Sequence, residues 1–124
     1  MLGESGAIAL EALAALGQQT RLAIFRFLVN HEPCGRTVGE IALAMGCPQN
    51  TTSGHLAVLA RARLVVSAWR GRSVVYRADL AGMQRLLEYL LADCCNGDSA
   101  ACATVFSSLC TGDCIHASDE GLPA

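Results

Sequence analysis

The sequence contains no lysine: all nine basic residues are arginine. Only 16% of the residues are charged and 52% are hydrophobic, so part of the apolar surface is expected to be buried between subunits. No apolar run reaches the roughly eighteen residues of a membrane span, and residues 1–4 lack the basic segment of a secretory signal. These absences predict a cytoplasmic protein without a membrane-spanning helix.

Signatures of enzymes are also missing. The sequence has no phosphate-binding glycine loop, no paired carboxylates at catalytic spacing and no Ser-His-Asp pattern. We therefore expect a binding protein rather than an enzyme, without an organic cofactor.

Acidic residues are absent from residues 41–78, and basic residues are absent from residues 93–124. The first segment carries five arginines and hence a charge of +5, whereas the second carries five acidic residues and a charge of −5. Because the planar guanidinium group of arginine fits phosphate and guanine, the middle segment is expected to bind a polyanion. A bias of the source genome toward arginine would give the same composition.

Capping signals within residues 37–63 predict two short helices joined by a turn. Thr37 and Glu40 fit a capping box, and Gly46 ends the first helix. Pro48 opens the second helix, which can run to about Arg63. The residues of the second helix expected to face inward are Thr52, Leu56 and Leu59. This arrangement is a helix-turn-helix.

The outward face of the second helix carries short polar groups that suit contact with DNA bases. The candidate contact residues are Gln49, Asn50, Thr51, Ser53, His55 and Arg61. For His55, packing against the hairpin that follows is an equal alternative, and Arg61 also fits a solvated surface charge. Gly54 on the same face would let the helix backbone come close to another surface.

After Leu64 the pattern of the sequence changes to period two. β-Branched and aromatic residues on both sides of Arg70-Gly71-Arg72 predict a hairpin over residues 65–77. Arg70 and Arg72 put positive charge at its tip, and Trp69 is expected in the core at its base. The predicted fold is therefore mainly α with a small β-hairpin, a winged helix-turn-helix.

Two flanking segments predict helices that pair subunits. Residues 7–16 are apolar nearly all round and are expected to end in a left-handed cap at Gly17. Thr20 is expected to cap the next helix, whose apolar stripe contains Leu22, Phe25, Leu28 and Val29. Asp79 is expected to cap a last long helix, whose apolar stripe runs from Leu80 to Cys94.

These helices predict a homodimer through the first and last long helices. Residues 1–95 are expected to form a winged helix-turn-helix domain for DNA binding and dimerisation. Residues 96–124 are expected to form a C-terminal extension that contains thiols.

Seven cysteines, an odd number, favour thiolate chemistry in a reducing compartment over a disulfide framework. Cys94 and Cys95 are adjacent, and Cys102 follows a turn signal at Asn96-Gly97. Cys34 and Cys47 are interpreted as structural or incidental, because free cysteine often behaves as a small buried apolar residue.

Residues 8–95 resemble the ArsR/SmtB family of winged-helix repressors. The resemblance rests on three segments: Thr20-Arg21-Leu22, Gln49-Asn50-Thr51-Thr52-Ser53-Gly54-His55-Leu56, and Arg70-Gly71-Arg72 before Val75-Tyr76-Arg77. It implies a homodimer that binds operator DNA and is released when a metal or metalloid binds. The sequence departs from the family pattern at Arg63, where the family usually has glycine.

Within this family, the cysteine pattern looks similar to an arsenite-responsive branch with a vicinal cysteine pair after the last long helix. Trivalent arsenic forms three bonds to sulfur, and soft thiolates select such ions. The resemblance and this chemistry predict that As(III) or Sb(III) is the inducer. The predicted ligands are Cys94, Cys95 and Cys102. The helix that starts at Pro48 would lie in the major groove, with Arg70 and Arg72 on the backbone or the minor groove.

Alternatives remain open for the ligands and for the inducer. Cys110 or Cys114 can replace or supplement Cys102, and His116 with Asp119 can be a hard-metal pair or part of a solvated tail. A redox-sensing repressor would instead form a disulfide from Cys94 or Cys95. A repressor that responds to cadmium, lead or zinc, an arsenic metallochaperone and a thiol reductase are further alternatives.

Overall fold

The structure is a computed structural model and describes residues 3–92. Its elements are α1 (Gly3–Leu16), α2 (Gln19–Asn30), β1 (Arg36–Thr37), α3 (Val38–Met45), α4 (Gln49–Arg61), β2 (Val65–Arg70), β3 (Ser73–Ala78) and α5 (Leu80–Leu91). The largest fully buried side chains are Ile24, Leu28, Ile41, Thr52, Leu56, Leu59 and Leu64. Helices and a small antiparallel sheet thus share one core, which confirms the predicted fold class.

Helix α1 begins at Gly3, four residues before its predicted start. It buries one small residue at every third position, at Gly6, Ala9, Ala12 and Ala15. The predicted left-handed cap at Gly17 is wrong, because Gly17 does not have a positive φ angle. The chain instead turns through Gln18, which is extended and caps α2 by accepting a hydrogen bond from the Arg21 amide.

Helix α2 begins two residues earlier than the sequence indicates. Thr20 lies inside the helix and is not its cap. Phe25 and Leu28 are buried as predicted, but Leu22 and Val29 are exposed and Ile24 takes the place in the core. The apolar residues of α2 are dense enough to fit two adjacent stripes, and packing against the other helices selects the stripe through Ile24.

The predicted helix-turn-helix is confirmed in its local detail. Thr37 and Glu40 form the capping box, with the Glu40 carboxylate accepting from the Thr37 amide at 2.9 Å. Gly46 ends α3 with a φ angle of 68°. The Cys47 amide donates to the Ala42 carbonyl and the Gly46 amide to the Leu43 carbonyl, the pattern of a Schellman motif.

The same motif ends α4, but Arg63 occupies the left-handed position that glycine occupies at the end of α3. The Leu64 amide donates to the Leu59 carbonyl and the Arg63 amide to the Ala60 carbonyl. Arg63 has a φ angle of 66°, the only positive value of a non-glycine residue in the described part of the chain. A left-handed conformation costs a residue with a Cβ atom about 1–2 kcal/mol. Arg63 therefore completes the motif at an energetic cost that glycine would avoid.

The sheet has three strands in the order β1-β3-β2, one more than the predicted hairpin. Strand β1 pairs antiparallel with β3 through Arg36 opposite Tyr76. Strands β2 and β3 pair from Val65 opposite Ala78 to Arg70 opposite Ser73, which leaves Gly71 and Arg72 as a two-residue turn. Gly71 has a φ angle of 65° and Arg72 does not have a positive one, as in a type II′ turn.

Trp69 is not in the core, and the prediction that placed it there is wrong. By strand alternation, Trp69 lies on the same sheet face as Val65, which packs in the core. Strand β2, however, extends beyond the core, and every residue after Val65 in this strand is exposed. Trp69 is 74% exposed.

Helix α5 begins at the predicted cap. The Asp79 Oδ1 atom accepts a hydrogen bond from the Gly82 amide at 3.1 Å. Leu86 is buried, whereas Leu80 and Leu90 are exposed. Cys94, the last position of the predicted stripe, lies outside the described residues. Within residues 3–92, no helix combines the length and the apolar character that crossing a membrane requires.

Candidate nucleic-acid interface

Helix α4 is fixed to the core by three side chains on one face. Thr52, Leu56 and Leu59 have no exposed surface, as predicted for the inward positions. The Thr52 hydroxyl donates to the Pro48 carbonyl at 3.0 Å, so this buried polar group is satisfied within the helix. Since the inward face is fixed, the opposite face of α4 has a defined orientation toward solvent.

The outward face of α4 presents the polar residues that the sequence predicts as contacts. Those exposed there are Gln49, Asn50, Thr51, Ser53 and Arg61. The Asn50 Oδ1 atom accepts from the Thr51 amide at 2.9 Å, which leaves its amide nitrogen as a donor. Apart from Arg61, the residues of this set carry uncharged hydrogen-bonding groups of the kind that read base edges, and Gly54, Ala57 and Ala60 are exposed between them and Arg61.

Gly54 lies in the interior of α4, also on the exposed side. A Cβ atom at this position would have no neighbour within 4 Å. Glycine inside a helix lowers stability by about 0.5–1 kcal/mol relative to alanine. Packing within residues 3–92 therefore does not require glycine at this position. The missing side chain leaves a shallow gap in the helix surface.

His55 differs from the other candidates, since it is half-buried and contacted by another helix. Its Nδ1 atom lies 3.5 Å from Nη1 of Arg21, whose Nε donates to the Ala15 carbonyl at 2.7 Å. Arginine has only donors, so this long contact is a hydrogen bond only in the tautomer whose Nδ1 accepts. Arg21 thus connects the end of α1 to α4 through His55.

The two predicted arginines of the hairpin tip differ in their contacts. Arg72 is exposed within the two-residue turn. Arg70 is also exposed, but its Nη2 atom donates to the Cys34 carbonyl at 3.1 Å. A guanidinium group has five N–H donors, so this contact leaves donors available. It also connects the hairpin to the loop between α2 and β1.

A second contact between this loop and the hairpin was missed by sequence reasoning. Arg77 binds Glu32 with two hydrogen bonds, Nη2 to Oε1 at 2.7 Å and Nε to Oε2 at 3.3 Å. These bonds and the charge of Glu32 raise the pKa of Arg77. Glu32 lies outside residues 41–78, and it compensates one of the five positive charges counted there.

The predicted thiolate ligands Cys94, Cys95 and Cys102 lie outside the described residues, as do Cys110 and Cys114. Of the two cysteines within residues 3–92, Cys34 is exposed and Cys47 is half-buried; both are free thiols. In this range, no three His, Cys, Asp or Glu side chains are grouped as metal ligands.

Comparison with known proteins finds a matching family model and several similar structures. Residues 16–68 match a family model described as a helix-turn-helix domain. The matched span runs from the end of α1 into β2 and contains both α3 and α4. Among curated protein sequences, none matches this chain.

Several solved structures are similar to this one. The homodimeric winged helix-turn-helix DNA-binding domain of Mb0332 from Mycobacterium bovis, a possible ArsR-family transcriptional regulator, has 27% identity and a TM-score of 0.57, over 70% of this chain and 80% of that chain. HlyU from Vibrio cholerae has 28% identity and a TM-score of 0.57, over 73% and 99%. A possible transcriptional regulator for arsenical resistance has 25% identity and a TM-score of 0.56, over 75% and 95%. With the α3–α4 pair and the β2–β3 hairpin, these similarities give the chain a winged helix-turn-helix fold.

Proposed function

We propose that this protein is a transcriptional repressor that binds operator DNA as a homodimer through α4 and the β2–β3 hairpin. The observation that carries the proposal is α4, which is fixed by a fully buried face and presents an uncharged polar face to solvent. A helix with this surface, preceded by α3 through a tight turn, suits the major groove. Arg61 and Arg72 are exposed and supply positive charge for phosphates.

The homodimer is supported by the apolar surface of the outer helices. Leu10 is 55% exposed on α1, and Leu13 on the same helix is 41% exposed. On α5, Leu90 is exposed as well. Large apolar side chains in a row on a helix are typical of an interface. The similar domain from Mycobacterium bovis is described as homodimeric.

The inducer we propose is trivalent arsenic or antimony, bound by Cys94, Cys95 and Cys102. Three thiolates within nine residues match the three bonds that trivalent arsenic forms with sulfur. One of the similar structures is described as a possible regulator for arsenical resistance. A coupling free energy of about 1–3 kcal/mol between the thiolate site and the DNA-binding surface would lower DNA affinity about 5- to 150-fold.

A binding assay tests both parts of the proposal. The wild-type dimer selects a duplex from a random-sequence library, and fluorescence anisotropy then measures its affinity for that duplex under strict reduction. Titration with arsenite or antimonite is expected to release the DNA, with cadmium and zinc as comparisons, and peroxide is titrated separately after the reductant is removed. Cys94→Ser, Cys95→Ser and Cys102→Ser are expected to lose the response to arsenite while still binding DNA.

Cys34→Ser is the matched control, because Cys34 is a free thiol outside the proposed site. This variant should respond to arsenite like the wild type. If all three ligand variants also respond, the inducer site is wrong. If release requires peroxide and ignores arsenite, the protein is a redox sensor. Failure of the wild type to select any duplex would overturn the DNA-binding function itself.

A further inference from the structure

Trp69 is an exposed aromatic residue on β2 and is not part of the proposed contact surface of α4. It is the only tryptophan of the chain and is 74% exposed. It lies on β2 opposite Val74, one pair before the Arg70–Ser73 pair that closes the hairpin. An indole group in this position leaves a large apolar area in contact with water, which is available to a partner.

The charge around Trp69 indicates which partner that is. Arg70 follows it directly, Arg72 occupies the turn, and residues 41–78 contain no acidic residue. Arg77, the other arginine of the hairpin, is already paired with Glu32. The free positive charge of the hairpin is therefore at its tip, beside Trp69, which favours a polyanion with apolar surface between its phosphates.

We propose that the indole of Trp69 packs against the deoxyribose rings and base edges of the minor groove beside the site read by α4. This inference rests on the proposed DNA-binding function and adds a contact to it. The deoxyribose walls of the groove are apolar, and the phosphates on either side attract Arg72. One contact thus buries the indole while the adjacent arginine neutralises phosphate charge.

The dimensions of the hairpin fit this placement. The residues of an antiparallel strand advance about 3.4 Å each, so Trp69 lies roughly 7 Å behind the first residue of the turn. The minor groove of B-form DNA is about 6 Å wide and 7.5 Å deep. With the turn at the floor of the groove, the Trp69 backbone lies level with the groove rim, where its indole meets the deoxyribose walls, and the long Arg72 side chain extends back to a flanking phosphate. Arg70 lies on the opposite sheet face, where it contacts the Cys34 carbonyl.

The single tryptophan makes the contact directly measurable. In the free protein, Trp69 fluorescence should be quenched readily by acrylamide, because the side chain is exposed. In complex with the selected duplex, the same emission should shift to shorter wavelength and be protected from acrylamide. Unchanged emission and quenching at saturating DNA would overturn the inference while leaving the DNA-binding function intact.

Substitution supplies the second measurement. Trp69→Ala should lower affinity for the duplex about 10-fold, as expected for loss of an aromatic contact with nucleic acid. Trp69→Phe should retain most of the affinity, since a phenyl ring keeps part of the apolar contact. Val66→Ala, at another exposed apolar position of β2, is the matched control and should bind like the wild type.

Two results would assign Trp69 elsewhere. If Trp69→Ala binds the duplex with wild-type affinity, the indole does not contact DNA. If Trp69→Ala lowers the molecular mass measured by sedimentation without DNA, the indole is part of a subunit contact, and the inference is wrong. Loss of duplex selection by the wild type would overturn the inference together with the proposed function.

Discussion

Helix α4 and the β2–β3 hairpin are the two parts of the proposed DNA-binding surface, and they are held in opposite ways. Helix α4 is fixed from below by Thr52, Leu56 and Leu59, none of which has exposed surface. The hairpin extends beyond the core, and beyond its strand pairing it is tied to the α2–β1 loop by hydrogen bonds from Arg70 and Arg77.

Their surfaces differ as much as their supports. Residues 49–60 of α4 carry no acidic or arginine side chain, whereas the hairpin turn and its flanks carry two arginines. Uncharged polar groups distinguish base pairs, and arginines bind phosphates without regard to sequence. If α4 and the hairpin bind DNA as proposed, the comparison predicts that sequence selection comes from the anchored residues 49–60 of α4. Salt-dependent affinity would come from the arginines of the projecting hairpin, together with Arg61 at the end of α4.

The largest expected effect tests the difference in anchoring. Leu56→Ala should lower the free energy of unfolding by about 2–5 kcal/mol, because it leaves a cavity under α4. Val66→Ala, on the exposed hairpin, should change it by less than about 0.5 kcal/mol. Urea unfolding of both variants measures the two values. Equal losses would mean that the hairpin is as strongly packed as α4.

The second test concerns the division between selection and affinity. Asn50→Ala should lower the affinity for the selected duplex by about 1–3 kcal/mol and relax the base preference at one position. Arg72→Ala should weaken binding to all duplexes about equally and reduce the salt slope by about 1. Anisotropy titrations at several salt concentrations measure both. If Asn50→Ala changes the salt slope, or Arg72→Ala changes base preference, the division is wrong.

A smaller effect should have opposite signs for stability and for binding. Gly54→Ala should raise the free energy of unfolding by about 0.5–1 kcal/mol, because a Cβ atom meets nothing in the protein and the helix gains propensity. The same Cβ atom should lower DNA affinity by filling the gap on the face of α4 that approaches DNA. Ala57→Gly, also exposed on α4, is the reverse control and should lower stability. A gain in both quantities would show that DNA does not approach Gly54 closely.

The smallest expected effect concerns the capping box at the start of α3. Hydrogen bonding to the Thr37 amide lowers the pKa of Glu40 below its ordinary value of 4.5. A carboxylate with a lowered pKa stabilises the fold above pH 4.5, and this contribution is lost as the pH falls through the lowered pKa. In Glu40→Gln, the fall in stability on acidification should be smaller than in the wild type. Urea unfolding across this pH range checks the prediction, and identical profiles would contradict it.

Most features that depend on neighbouring residues could be predicted from the sequence, although the caps predicted at Gly17 and Thr20 were wrong. The capping box of Thr37 and Glu40 and the left-handed Gly46 are set by local hydrogen bonding. The inward face of α4 follows from helical spacing alone. The exposed candidates on α4 were identified for the same reason, since they occupy the remaining positions of that helix.

Features that depend on distant parts of the chain could not be predicted in this way. Strand β1 has two residues and exists only because Arg36 pairs with Tyr76, forty positions away. The contacts of Glu32 with Arg77 and of Arg70 with the Cys34 carbonyl also join distant segments. For Trp69, the local sequence does not show how far the core extends along the strand, so its burial was predicted wrongly.

The junction of α4 with β2 and α5 has a consequence for the sequences that this fold tolerates. Arg63 is left-handed, and a Cβ atom at Gly82 would overlap the Arg63 carbonyl oxygen. In a saturation mutagenesis library selected for folding, position 63 should therefore enrich glycine, while position 82 should retain it. Both positions adjoin the peptide group that follows Arg63. A natural variant or an engineered hybrid that replaces the segment between α4 and α5 must therefore keep a residue compatible with each position.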